Sequence, residues 1–180
     1  MAYKGKYKIK NPDKYIGDAD AVVYRSSWER AAFVWCEQND SIVSWSSEEI
    51  IIRYLSKVDN KIHRYYPDLF IEFSNGNKIL VEIKPKKQTE PPVKSESGKG
   101  KNKYIGEAIT YVKNVSKWEA ADEFCKKNGM IFEIWDEHKL KALGMKIIGR
   151  TTGSFVHPSK RRRRRKKPVT KKASSVEGNK

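Results

Sequence analysis

A chain of 180 residues with 38 Lys+Arg against 22 Asp+Glu carries a formal charge of +16, and its size suits one domain of ordinary core plus an appendage. With 5 Trp, 9 Tyr and 6 Phe, it is too rich in large apolar groups to be wholly disordered. The longest unbroken apolar stretch covers residues 31–36, and no apolar segment follows the early lysines Lys4, Lys6, Lys8 and Lys10, so neither a membrane span nor a secretory signal is expected.

Residues 1–24 are rich in Lys and Tyr, turn at Asn11-Pro12-Asp13 and Gly17-Asp18, and show no sustained period; they read as an N-terminal arm. From Ser26, a good N-cap, the spacing of Trp28, Ala31, Ala32, Trp35 and Cys36 predicts an amphipathic helix to about Asn39. After a turn at Trp45-Ser46-Ser47-Glu48, strands are predicted over 49–55, 62–73 and 78–84. Residues 85–103, with Pro85 and Pro91-Pro92, read as a long loop of the kind that is often functional. A helical stripe of Ile105, Ala108, Ile109 and Val112 follows, and Ser116-Lys117-Trp118-Glu119 has the form of a capping box starting another helix that stops at Gly129. A strand over 130–135, a short helix over 137–143 and an extended piece over 145–148 complete the folded part. The order α, β, β, β, α, β predicts a mixed α/β sheet with helices packed on it, in a domain spanning 25–148. Cys36 and Cys125 have no CxxC or metal-spaced partner and read as reduced core thiols.

Residues 149–180 hold 12 Lys+Arg and one acid, Glu177, so they carry +11 of the total. The peak is Lys160-Arg161-Arg162-Arg163-Arg164-Arg165-Lys166-Lys167 between Pro158 and Pro168. Without apolar periodicity this is a disordered basic tail, and Arg161, Arg162, Arg163, Arg164 and Arg165 are its strongest candidates for DNA phosphate contacts. A solubilising tail, one that meets acidic protein or lipid surfaces, or a nuclear import signal in a eukaryotic host are the alternatives.

The chemical signal lies between Asp68 and Lys84. Leu69, Ile71 and Phe73 alternate on one strand and Ile79, Val81 and Ile83 on the next, so odd residues share a buried face and must pair with odd. The expected register pairs 71 with 81 and 69 with 83 around a loop of Asn75-Gly76-Asn77. It sets Asp68 opposite Lys84 and diagonal to Glu82, all on one face. Diagonal carboxylates stand about 7–8 Å apart, close enough to grip one divalent cation. Oxygen ligands favour Mg²⁺, with Mn²⁺ as a substitute, and Lys84 beside them could stabilise hydroxide or a phosphorane-like transition state. A solvated pair of acids neutralised by Lys84 is the plain alternative.

Pro67-Asp68 and Glu82-Ile83-Lys84 on consecutive strands, within this element order, resemble the PD-(D/E)XK nuclease superfamily. The resemblance implies a restriction-endonuclease-like αβββαβ core, metal held by Asp68, Glu82 and Ile83, and catalysis by Asp68, Glu82, Lys84 and the first-helix acid Glu29. For Glu29 a structural explanation competes, since Ser26-x-x-Glu29 is itself a capping box. More narrowly, Tyr24-Arg25-Ser26-Ser27-Trp28-Glu29, Trp45-Ser46-Ser47-Glu48, Arg64-Tyr65-Tyr66-Pro67-Asp68 and Ile83-Lys84-Pro85-Lys86-Lys87 with Pro91-Pro92 are similar to the head-completion nucleases of T-even-like tailed phages. That likeness spans about residues 1–148. It implies an enzyme of virion assembly acting on packaged DNA before head–tail joining, in the cytoplasm of a bacterial host or on the virion, with phage head or portal proteins as partners.

Around this centre, Arg25 at a helix start could hold a phosphate, and Lys86 and Lys87 could meet the DNA backbone; each is as readily a solvated surface charge. Glu48 and Glu49 could orient the site or merely protect an edge, and Gln88 has nothing to separate it from any loop amide. Trp28, Trp35 and Trp118 are expected in the core by their helical spacing. His63 could act as a general base only if a bulge brought it to the face of Asp68. Two other functions compete: a non-enzymatic DNA-binding assembly protein, and a nuclease of transposase or junction-resolvase type.

Overall fold

Two short runs of alternating residues, 69–73 and 78–83, form the centre of a four-stranded sheet in the computed structural model, which describes residues 4–94 and 100–147. In chain order the elements are β1 (Gly5–Lys6), β2 (Val23–Tyr24), α1 (Ser27–Gln38), β3 (Ile42–Ser46), β4 (Ile52–Leu55), β5 (Ile62–Tyr65), β6 (Leu69–Phe73), β7 (Lys78–Ile83), α2 (Lys101–Lys127), β8 (Ile131–Trp135) and α3 (Glu137–Ala142). The main sheet runs β3-β6-β7-β8, with β8 parallel to β7 and the other pairs antiparallel. The predicted tail, with Arg161 to Arg165, lies outside the described residues. Of the described helices, none is long and apolar enough to cross a membrane.

The expected αβββαβ order is present, but its first strand is β3, where the sequence pattern suggests only a turn. Trp45 and Ser46 are buried there beside Ile71 and Phe70. The strand expected over 49–55 shrinks to β4, which pairs with β5 alone as a separate hairpin inserted between β3 and β6. The strand expected over 62–73 is two strands in two sheets. Pro67 offers no N–H to a ladder and biases Tyr66 to an extended conformation, so the chain changes sheets at Tyr66-Pro67-Asp68.

The β6–β7 register keeps the expected parity and slides by two residues: Leu69 pairs with Val81 and Ile71 with Ile79. Gly76 explains the slide. A three-residue hairpin loop ends on a left-handed residue, and Gly76 adopts φ +83° while its N–H bonds Phe73 O at 2.9 Å. The loop is therefore Ser74-Asn75-Gly76, closed by Phe73 N–H donating to Asn77 O.

Both faces of the sheet are covered. α1, capped by Ser26, lays Ala32, Phe33 and Cys36 against Leu69, Ile71, Val81 and Ile83. The opposite face sets Leu80, Phe70 and Phe132 against Ala121, Cys125 and Phe124 of α2, with Ile52, Tyr54 and Tyr65 of the inserted hairpin. Both cysteines are free and buried, as expected. Trp118 is buried and Trp28 and Trp35 are partly buried against the core, also as expected.

The predicted pair of helices over 104–129 is one 27-residue helix. Ser116 starts nothing: its hydroxyl donates to Val112 O at 2.9 Å and accepts from Lys57 N–H at 3.2 Å. The stripe Ile105, Ile109 and Val112 is exposed, and α2 meets the core only from Asn114 onward. The expected loop over 85–103 is shortened by a 3-10 turn at Lys86–Gln88 and by the start of α2 at Lys101. Residues 4–24 are not an arm. Tyr7, Ile9, Tyr15 and Val22 are buried in the α1-side core, and β1 pairs with β2.

Candidate active site

Asp68 follows the sheet change directly, so Pro67, itself fully buried, anchors the turn from which the carboxylate projects. With the strand ladder not yet begun, Ile83 N–H has no backbone partner from β6 and donates instead to Asp68 Oδ2 at 2.7 Å. The observed register puts Asp68 across from Glu82, one step closer than the expected diagonal. Glu82 is only 2% exposed. Its Oε2 accepts from the Tyr65 hydroxyl at 2.7 Å and its Oε1 lies 2.8 Å from Lys84 Nζ. Ile83 has a buried aliphatic side chain, so only its carbonyl could serve a metal; in a strand that carbonyl faces the same side as its N–H, toward Asp68.

The electrostatics follow from burial and crowding. Asp68 is pushed up to about 8, first by desolvation and then by the charge of Glu82, against the pull of Lys84 and the Ile83 N–H. Burial acts to lower Lys84, but Asp68 and Glu82 outweigh it and leave the ammonium raised above its ordinary value. Tyr65 is raised far above the usual phenol range by burial and by Glu82, so it remains a neutral donor. When ionised, Asp68, Glu82 and Lys84 carry one net negative charge in a partly desolvated recess. An all-oxygen donor set with that charge fits a hard divalent cation. Among the described residues no group of three or more His, Cys, Asp and Glu that could hold a metal ion is assembled.

Of the other expected residues, Glu29 is engaged as a cap: its carboxylate accepts from Arg25 N–H at 2.6 Å and from Ser26 Oγ at 2.8 Å. Its charge still reaches Asp68 and Lys84. Arg25 is exposed, and its guanidinium makes a two-pronged pair with Glu48 at 2.9 and 2.7 Å. Lys86 and Lys87 are exposed; Lys86 Nζ lies 3.9 Å from Glu90, and Lys87 Nζ lies 3.5 Å from Glu107. His63 pairs with Asp59 at 2.8 Å on the inserted hairpin rather than joining the site.

Two site residues are not visible in the sequence pattern. Tyr65 is hidden because parity does not carry across the Pro67 break, so nothing in the pattern says that it, rather than Tyr66, turns inward. Lys117 is absorbed into the apparent capping box. Its ammonium lies 5.2 Å from the centroid of the Tyr65 ring, on the α2 wall of the same recess.

A family model described as "TnsA-like endonuclease N terminal" matches residues 39–137. That span contains Asp68, Glu82, Lys84, Tyr65 and Lys117 and leaves out α1 with Glu29. The chain is also 40% identical over 148 residues to the head completion nuclease of Enterobacteria phage T4, a match covering 81% of this chain and 99% of that protein. The chain belongs to the TnsA-like endonuclease N-terminal family within the PD-(D/E)XK nucleases, and it is a DNA-hydrolysing enzyme.

Proposed function

We propose that this nuclease is Mg²⁺-dependent, with Mn²⁺ as a substitute, and that it acts in phage head completion, the process for which the T4 relative is named. Asp68 and Glu82 would hold the cation, with the Ile83 carbonyl as a further ligand. When bound, such an ion supplies positive charge to the phosphodiester and lowers the pKa of a water. The chain's own groups do the rest. Ile83 N–H and the Tyr65 hydroxyl fix the two carboxylates, so little reorganisation is needed at the moment of reaction. Lys84 keeps its ammonium beside Glu82, where it can donate to hydroxide or to a phosphoryl oxygen as charge develops. Glu29 adds negative potential from the start of α1. Lys86 and Lys87 leave the site on its exposed side and would contact flanking phosphates, and Arg161 to Arg165 would tether the enzyme to DNA.

The observation that carries this reading is the convergence of Asp68, held by Ile83 N–H at 2.7 Å, with Glu82 and Lys84, themselves 2.8 Å apart, at the adjoining ends of β6 and β7. The test is plasmid cleavage with Mg²⁺ and with chelator. Asp68→Asn and Lys84→Ala are expected to lose at least roughly 100-fold in rate, with the circular dichroism spectrum and salt-sensitive DNA binding retained. Cutting that persists in chelator, or in both variants, removes the mechanism. Including a four-way junction in the assay separates general duplex cleavage from a junction-resolving specificity.

A further inference from the structure

We infer that Lys117 is a second phosphate-binding cation of the active site, seated on α2 beside Tyr65 to contact a non-bridging oxygen of the DNA backbone. This deepens the nuclease reading and rests on it. The two lysines differ in what they already hold. Lys84 is committed to Glu82 at 2.8 Å, whereas Lys117, among the described residues, forms no ion pair. Its ammonium instead lies over the ring of Tyr65, whose hydroxyl is bonded to Glu82. The charge is therefore positioned by the same phenol that orients the second carboxylate.

The placement is costly without an anion. Lys117 is half-buried, burial pulls its pKa below the ordinary value, and Lys84 and Lys113 add repulsion that Glu82 and Asp68 oppose. A solvated surface lysine would swing away from such a wall. An ammonium kept at low dielectric with no carboxylate in contact is disposed toward a mobile anion, and a phosphodiester is the anion this site must receive. The buried neighbours Asn114 and Trp118 on the same stretch of α2 hold that turn against the body of the protein, so the ammonium is delivered from a rigid element.

The test compares Lys117→Met, which keeps a long apolar side chain beside Tyr65 and removes the charge, with Lys117→Arg, which keeps the charge. Three readouts are taken on the full chain: steady-state cleavage of duplex DNA in Mg²⁺, the salt slope of DNA binding in chelator, and the melting temperature. Lys117→Met is expected to lower kcat/KM by roughly 100-fold and to make the salt slope shallower by about 0.9, with an unchanged melting temperature; Lys117→Arg restores most of both. Parental kinetics and slope in Lys117→Met overturn the inference. So does a loss shared by Lys117→Arg together with a lower melting temperature, the mark of a packing role. Absence of metal-dependent cutting by the parent protein defeats the nuclease mechanism above, while the salt slope still decides whether Lys117 meets phosphate.

Discussion

Glu82 sits under constraint from two directions, with a neutral phenol on one oxygen and an ammonium beside the other. Removing the phenol separates orientation from charge. Tyr65→Phe leaves the ring that packs with Tyr54 and supports Lys117, but frees one carboxylate oxygen of Glu82, a residue only 2% exposed. The expected result is a 10- to 100-fold loss, roughly, in metal affinity or cleavage at a stability cost of about 1 kcal/mol. Calorimetric titration with Mn²⁺ and urea denaturation read the two quantities, and parental metal affinity in Tyr65→Phe would show that Lys84 alone positions Glu82. At this scale the sequence is legible where side chains follow a strand period, as for Asp68, Glu82 and Lys84. It is silent where a residue reaches the site from another element. Tyr65 and Lys117 depend on how a hairpin and a helix dock on the sheet, and no local pattern records that.

At the scale of elements, the N-terminal segment shows how a stretch without periodicity can still be ordered. The Glu37 carboxylate, on the buried side of α1, accepts from the Tyr7 hydroxyl at 2.6 Å and from the N–H groups of Lys10 and Asn11. The Asn11 amide completes the clasp by donating to Glu37 O. Since these are polar contacts between distant residues, hydrophobic spacing could not announce them. Glu37→Ala would leave three donors without an acceptor and should cost roughly 3–5 kcal/mol, with amide hydrogens between residues 7 and 11 exchanging faster. A native-like urea midpoint for that variant would mean that Tyr7, Ile9 and Val22 hold the segment by burial alone. The β6–β7 hairpin gives the complementary lesson. Alternation decides which face each residue takes, but the pairing depends on which loop position goes left-handed, and Gly76 at φ +83° settles it. The first strand of the core is obscured because Ser44, Ser46 and Ser47 dilute a pattern whose buried members include Ile42 and Trp45.

Over the whole sequence, charge is distributed unevenly. Residues 149–180 carry +11 of the formal +16, whereas the recess around Asp68 and Glu82 is nearly balanced between acids and lysines. Affinity and chemistry should therefore separate. Deleting residues 149–180 is expected to weaken duplex binding and reduce the salt slope by about 0.9 for each phosphate no longer neutralised, while cleavage at saturating DNA stays within roughly threefold of the full chain's rate. Unaltered affinity after deletion would assign the basic segment another target. The inserted β4–β5 hairpin has a consequence of a different kind. Glu82 belongs to the main sheet, with Asp68 and Lys84 just beyond the ends of its strands, but the phenol bonded to Glu82 belongs to a ribbon outside that sheet. The setting of the Glu82 carboxylate therefore depends on how this ribbon docks, through Ile52, Tyr54 and Tyr65, on Leu80 and on Ala121 and Cys125 of α2.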